Sequence, residues 1–264
     1  MGCAVGALPI DSVEDDRAWL AGAFSAAIES VHPRVALAHL AMPIPEPKGF
    51  GRRRLIAIGK AAGAFARAFV ERFPVDDGIV IAPPDAPALV TGLIDVPGDH
   101  PVPSEASLAA GRRLWDFIGQ VNADDVYIVL LTGGASALCV LPIEGVTLEQ
   151  KRHATMQLMH AGASIAELNQ LRRRLSRIKG GGLERRLAPA RCITLAISDV
   201  QGDDPEVIGS GPTMSSAASL ANYVVIATLD DALRAVRAYV AAAGVEIVDL
   251  GRTLYGAVET EAAR

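Results

Sequence analysis

Val126-Tyr-Ile-Val-Leu-Leu131, followed directly by Thr132-Gly-Gly-Ala-Ser-Ala137, decides how this chain folds. Six apolar residues without alternation suit a strand buried on both faces, which is the situation of a strand inside a parallel sheet. The abrupt change to glycines and hydroxyls marks the point where that strand leaves the core and turns toward a helix. The same grammar recurs on either side. Short apolar runs at 54–58, 78–82, 86–96, 193–197, 223–227 and 245–250 read as strands. Segments 14–31, 60–73, 104–121, 147–161, 165–175, 183–187 and 230–243 have helical spacing. In the first of these, Leu20, Phe24, Ala27, Ile28 and Val31 would form the apolar stripe, and Pro33 would end it. Strand–helix alternation over most of the chain predicts an open α/β fold with right-handed crossovers.

Composition agrees. Of 264 residues, 50% are hydrophobic, 21% charged and only 5% aromatic, which suits Ala-rich helices on a Val/Ile-rich sheet. The length corresponds to one large domain or two small ones at roughly 150 residues each. A net charge of -5 gives no broad attraction to nucleic acid or anionic membrane. No stretch of ~18 uncharged apolar residues is present, so no span is expected. Cys3, Cys139 and Cys192 are too far apart for a zinc or disulfide framework. With no basic leader at the N-terminus, a cytoplasmic location is the expectation.

In open α/β sheets, ligands bind outside the carboxyl ends of the strands. Gly59-Lys60 follows the strand at 54–58, and a lysine there can neutralise phosphate or carboxylate; it is otherwise a solvated lysine in a first helical turn. It is not a P-loop, because Ala61 stands where a magnesium-binding hydroxyl would be. Gly133, Gly134 and Ser136 either wrap an anion with backbone N–H groups or make a tight turn with Ser136 as helix cap. Ser198-Asp-Val-Gln-Gly-Asp-Asp-Pro-Glu-Val-Ile-Gly-Ser-Gly-Pro-Thr213 sets Asp199, Asp203 and Asp204 beside a second small-residue turn containing Ser210 and Gly211. Carboxylates for a hard cation next to a turn open to anions suit a metal–phosphate site. From the basic segment 167–182, Asn169, Arg172 and Lys179 are candidates for contact with an anionic ligand, while most of its charges read as a solvated face. The segment lacks the interleaved aromatics of a nucleic-acid surface. His100, in a proline-stiffened loop, is a proton carrier or a surface residue; His153 and His160, seven apart on one helix, read as structural.

Taken in order, Ile58-Gly-Lys-Ala-Ala62, Gly98-Asp-His-Pro-Val-Pro103, Leu131-Thr-Gly-Gly-Ala-Ser-Ala137, Ile143-Glu-Gly-Val-Thr-Leu-Glu149, Glu167-Leu-Asn-Gln-Leu-Arg172, Leu175-Ser-Arg-Ile-Lys-Gly-Gly181 and Ser198–Thr213 resemble the glycerate 2-kinase family. The resemblance implies a Rossmann-like α/β fold, an open and mostly parallel sheet with helices on both faces. It also implies transfer of the ATP γ-phosphoryl group to the 2-hydroxyl of D-glycerate, with Mg2+. On that basis Lys60 and Asp199 are the expected catalytic residues. Gly133, Gly134, Ser136, Asn169, Lys179, Ser210 and Gly211 are expected to bind the nucleotide, and Asp199 and Asp203 the metal. Where the family's loop carries a third glycine, this chain has Ala135. The family continues into a smaller C-terminal domain (MOFRL), whereas this chain stops at Arg264; residues 1–264 are expected to be a single N-terminal-type domain, with self-association through the uncovered face as a further expectation. An inactive nucleotide- or acid-binding domain is the alternative. Hydroxypyruvate reduction is disfavoured, because no G-x-G-x-x-G with a later acidic residue follows the first strand.

Overall fold

The computed structural model describes residues 13–245 and Ile247, apart from 87 and 89. In chain order the elements are α1 (Val13–Ser30), α2 (Pro33–Ala38), β1 (Arg53–Ile58), α3 (Ala62–Arg72), β2 (Asp77–Ala82), β3 (Leu93–Pro97), α4 (Glu105–Ile118), β4 (Val126–Leu131), α5 (Ala135–Leu138), α6 (Leu148–His160), α7 (Ile165–Arg174), α8 (Gly182–Leu187), β5 (Arg191–Ile197), β6 (Tyr223–Ala227) and α9 (Leu229–Ala242). They fall into two compact units, one of residues 29–231 and a smaller one whose described residues are 13–28, 232–245 and Ile247.

The larger unit holds one six-stranded sheet in the order β3-β2-β1-β4-β5-β6. All five pairings are parallel. β4 is buried along its whole length, as its unbroken apolar run requires. Its residues divide alternately between two cores. Tyr127, Val129 and Leu131 join Leu108, Leu114 and Ile118 of α4. Val126, Ile128 and Leu130 join Leu37 of α2 and Phe65 and Phe69 of α3. Helices therefore cover both faces, and the sheet is the α/β fold expected of the chain.

Local chemistry explains the boundaries. α4, α6 and α7 each begin with a reciprocal capping box, built on Ser104, Thr147 and Ser164. Pro33 does more than end the first helix. It opens α2 from the first helical position, where its missing N–H costs nothing. The strand expected across 86–96 is confined to Leu93–Pro97 at the sheet edge, directly after a turn in which Leu93 N–H donates to Val90 O at 3.1 Å. The strand expected at 245–250 lies almost wholly outside the described residues.

In the smaller unit, the Trp19 and Tyr239 rings pack with centroids 5.9 Å apart. The expected apolar stripe of α1 is not a buried one: Leu20, Phe24 and Ile28 are exposed. Periodicity alone says that one face is apolar, not that it finds a partner. Among the described residues no helix is long and apolar enough to cross a membrane.

Candidate functional site

β1 and β4 are neighbours, and the chain leaves them in opposite directions along the sheet, β1 toward β2 and β4 toward β5. Their carboxyl ends therefore form the switch-point crevice in which open α/β sheets bind ligands. The two loops that emerge there are tied together. Lys60 N–H donates to the Gly133 carbonyl at 2.8 Å, and Ala61 N–H donates to Thr132 Oγ1 at 3.1 Å. Gly59 has φ 140°, and a Cβ there would run into Thr132 Oγ1 and lie 2.6 Å from the Thr132 carbonyl oxygen. Only glycine fits that approach.

Lys60 Nζ reaches Asp199 Oδ2, at the end of β5, at 3.7 Å, with both side chains half or more exposed. Such a pair contributes little stability, which leaves both groups free to engage a ligand. A Cβ on Gly133 would collide with Asp199 Oδ2, and one on Gly134 would sit 3.0 Å from Lys60 Cγ and 2.9 Å from His100 Cδ2. Lys60, His100, Gly133, Gly134 and Asp199 thus share one small region. The left-handed residue of this turn is Gly134, at φ 86°. Ala135, in place of a third glycine, is the first residue of α5 and carries no positive φ. Ser136 is not the helix cap; that position belongs to Gly134, with no side-chain bond.

Ser136 instead faces a second cluster. Lys179 Nζ donates to the Ser136 carbonyl at 2.7 Å and contacts Ser136 Oγ at 2.6 Å, and Ser136 Oγ lies 3.0 Å from Ser210 Oγ. The two glycine-rich turns that carry these residues lie side by side. Gly180 N–H donates to Ser210 O at 3.0 Å and Gly181 N–H to Gly211 O at 2.7 Å. Ser210 itself has φ 65°, a left-handed conformation uncommon for a residue with a side chain. Asn169 is buried, and its Oδ1 accepts from Arg172 Nη1 at 3.4 Å.

A cleft of about 460 Å³ is lined by His100, Gly134, Ser136, Arg172 and Lys179 of these groups, whereas Lys60, Gly133, Asn169, Asp199, Ser210 and Gly211 do not line it. Its walls come from the His100–Pro103 loop, the α5 turn, α6, Arg172 of α7 and Lys179. The described lining residues include Lys151, Arg152, Arg172 and Lys179 but no Asp or Glu. Lys151 and Lys179 are 5% and 3% exposed. Burial pushes Lys151 down to about 8, helped by the nearby Arg172 charge. Burial also holds Lys179 well below the usual lysine range, with Lys151 and Arg172 adding to the effect. Lys151 is the residue that sequence reasoning missed. Its Nζ is buried without a hydrogen-bond partner. The available signal was its place on the face of α6 shared with Leu148 and Thr155, at helical offsets of three and four. His100 is brought to the cleft wall, while His153 and His160 are exposed residues of α6.

For a metal, the carboxylates are sparse. Among the described residues no three His, Cys, Asp or Glu side chains come together. Asp203 sits in a turn, with φ 51° and its N–H donating to Val200 O at 3.2 Å. Magnesium is commonly held by one or two carboxylates plus phosphate oxygens and water, and the half-free Asp199 fits that donor set.

The chain matches the family described as "Domain of unknown function (DUF4147)" over residues 19–242. It belongs to the DUF4147 family. A D-glycerate 2-kinase of Thermotoga maritima is 37% identical over 191 residues, covering 70% of this chain and 43% of the relative. An Agrobacterium vitis protein provisionally named a hydroxypyruvate reductase is 38% identical over 205 residues, covering 77% and 46%. The crystal structure of a glycerate kinase from Thermotoga maritima superposes with a TM-score of 0.67 at 32% identity, covering 89% of this chain and 54% of that one. This DUF4147 chain therefore spans about half the length of the curated relatives it matches.

Proposed function

We propose that this chain is the N-terminal-type domain of a glycerate 2-kinase, and that it helps transfer the ATP γ-phosphoryl group to the 2-hydroxyl of D-glycerate. The observation that carries the reading is the meeting of Lys60 and Asp199 against Gly133 and Gly134, at the switch point and beside a cationic cleft. Relatives named as glycerate kinases support the substrate class.

In the reaction the hydroxyl oxygen forms a bond to the γ-phosphorus and gives up its proton to solvent, while the bond from that phosphorus to the β–γ bridging oxygen breaks and ADP departs with the electron pair. The transition state is loose, so catalysis is chiefly positioning and neutralisation of charge. Lys60 neutralises the moving phosphoryl group or the glycerate carboxylate. Gly133 and Gly134 let backbone approach the phosphates, with Ser136, Lys179, Ser210, Gly211 and Asn169 completing the nucleotide wall. Asp199, with Asp203 in the same loop, would hold magnesium. That ion would supply charge neutralisation at the phosphate oxygens.

The test is ADP release by the purified chain with Mg-ATP and D-glycerate, compared with Lys60→Ala. Glycerate-dependent turnover that drops about 100-fold or more in the variant supports the reading, as expected for loss of one charge-stabilising group. A folded chain with no turnover overturns kinase activity for these residues and leaves ligand binding alone. The reductase name carried by two relatives finds no support in the first strand's loop, where Gly59-Lys-Ala-Ala-Gly63 replaces a dinucleotide fingerprint.

A further inference from the structure

Three cations converge on one wall of the cleft from three different elements: Lys151 from α6, Arg172 from α7 and Lys179 from the turn before α8. Like charges brought together by folding repel one another, and here burial removes much of the water that would screen them. Lys179 spends its bonds on Ser136, and Arg172 reaches Asn169. Lys151, by contrast, is buried with its ammonium unpartnered. An unpaired buried ammonium is costly in any protein unless something negative meets it. The other groups coupled to it offer nothing of that kind. Cys139, the buried thiol nearby, is pushed up to about 12 by its own burial and stays neutral, and the described lining of the cleft holds no Asp or Glu.

We propose that Lys151, Arg172 and Lys179 together form a subsite for a polyanion of the phosphate class, with Lys151 a direct ligand-binding residue. Lys151 joins the cleft that the kinase reading gives to ATP and rests on that reading for its setting. A single carboxylate would leave most of this charge unbalanced, whereas a di- or triphosphate segment matches it. The apolar part of the wall, including Val102, Met156 and Met159, leaves room beside the subsite for the less polar remainder of a ligand.

The arrangement has a thermodynamic signature. A lysine with a lowered affinity for protons regains it when an anion arrives, so binding must take up protons. With Lys151 at about 8, roughly half a proton should enter at that site when binding occurs at pH 8.

Isothermal titration of the purified chain with inorganic pyrophosphate at pH 8, in two buffers of different ionisation enthalpy, reads both quantities. The expected result is binding with proton uptake in the wild type. Lys151→Met should bind at least about tenfold more weakly and take up about half a proton less, with its folding checked by thermal denaturation. A parallel titration with D-glycerate should be insensitive to Lys151→Met. Unchanged pyrophosphate affinity in the variant, binding without proton uptake, or a Lys151 dependence found only for D-glycerate would each overturn the proposal. The titration needs no turnover, so it can succeed where the kinase assay fails, and the reverse.

Discussion

Lys151→Met should make the protein more stable, and by an amount that depends on pH. The lysine titrates near 8 in the folded protein against an ordinary 10.5, a difference of two to three pH units. At about 1.4 kcal/mol per unit, the protonated folded state carries a penalty of about 3 kcal/mol. Methionine has a similar length and no charge, so at pH 7 it recovers most of that. For a chain of this size, about 3 kcal/mol corresponds to a rise of roughly 6–12 °C in Tm. The sign with pH follows from proton counts. Below 8 both folded and unfolded chains are protonated at Lys151, and the penalty is complete. Between 8 and 10.5 the unfolded chain holds more protons, so the wild type gains stability relative to the variant and the gap narrows. Burial of Cys139 works in the opposite direction above its ordinary range, but it does so in both proteins and largely cancels from the difference. Differential scanning calorimetry of both proteins at pH 7 and pH 10 measures the effect. A variant less stable than wild type at pH 7, or a gap that widens toward pH 10, would refute the claim that Lys151 is a buried, unpaired ammonium.

Two further outcomes can be checked. Arg54 is buried, bonds Asp77, Tyr127 Oη and the carbonyls of Phe117 and Ile118, and lies over the Phe117 ring; Arg54→Ala should cost about 3–5 kcal/mol in urea denaturation, and a loss under about 1 kcal/mol would contradict this account. Gly133→Ala puts a methyl group into the Asp199 carboxylate, which is exposed enough to swing aside. Stability should change by less than about 1 kcal/mol while glycerate-dependent ADP release falls about tenfold or more, and an undiminished rate would remove Asp199 from the site.

The sheet was legible because a parallel strand has no polar face to disguise it. Val126–Leu131 reads as buried on both sides and is so, and the glycines after it mark the βα turn correctly. Strand order was not read from the sequence; it is a property of the crossovers that no single residue states. The fine structure of the turns was less so. Gly134 takes the left-handed position that a third glycine at 135 could have claimed, and Ser136, a plausible cap by residue type, contacts Lys179 instead. The second outcome involves the neighbouring 209–211 turn, whose Ser210 meets Ser136 from more than 70 residues away in the chain. The α1 stripe shows the opposite limit, since apolar spacing was present and burial was not.

Lys151 was hidden for a more general reason. A lysine at that point of an amphipathic helix reads as a solvated charge, because local sequence states a residue's chemistry and its face but not what the face meets. Arg172 and Lys179 were suspected from one basic segment, yet each alone has an ordinary explanation. Together with a third cation from another helix, around a cleft whose described lining includes no carboxylate, that explanation fails: solvated charges do not need two lysines buried beside a half-buried arginine. Repulsion among them opposes folding, and a mutation as simple as Lys151→Met should relieve it. Retaining a charge at a position where an apolar residue is more stable is what a ligand-binding role requires and what a purely structural role does not. The stability gain and the loss of pyrophosphate binding must therefore appear in the same variant. Finding either without the other would break the link between the buried charge and the ligand.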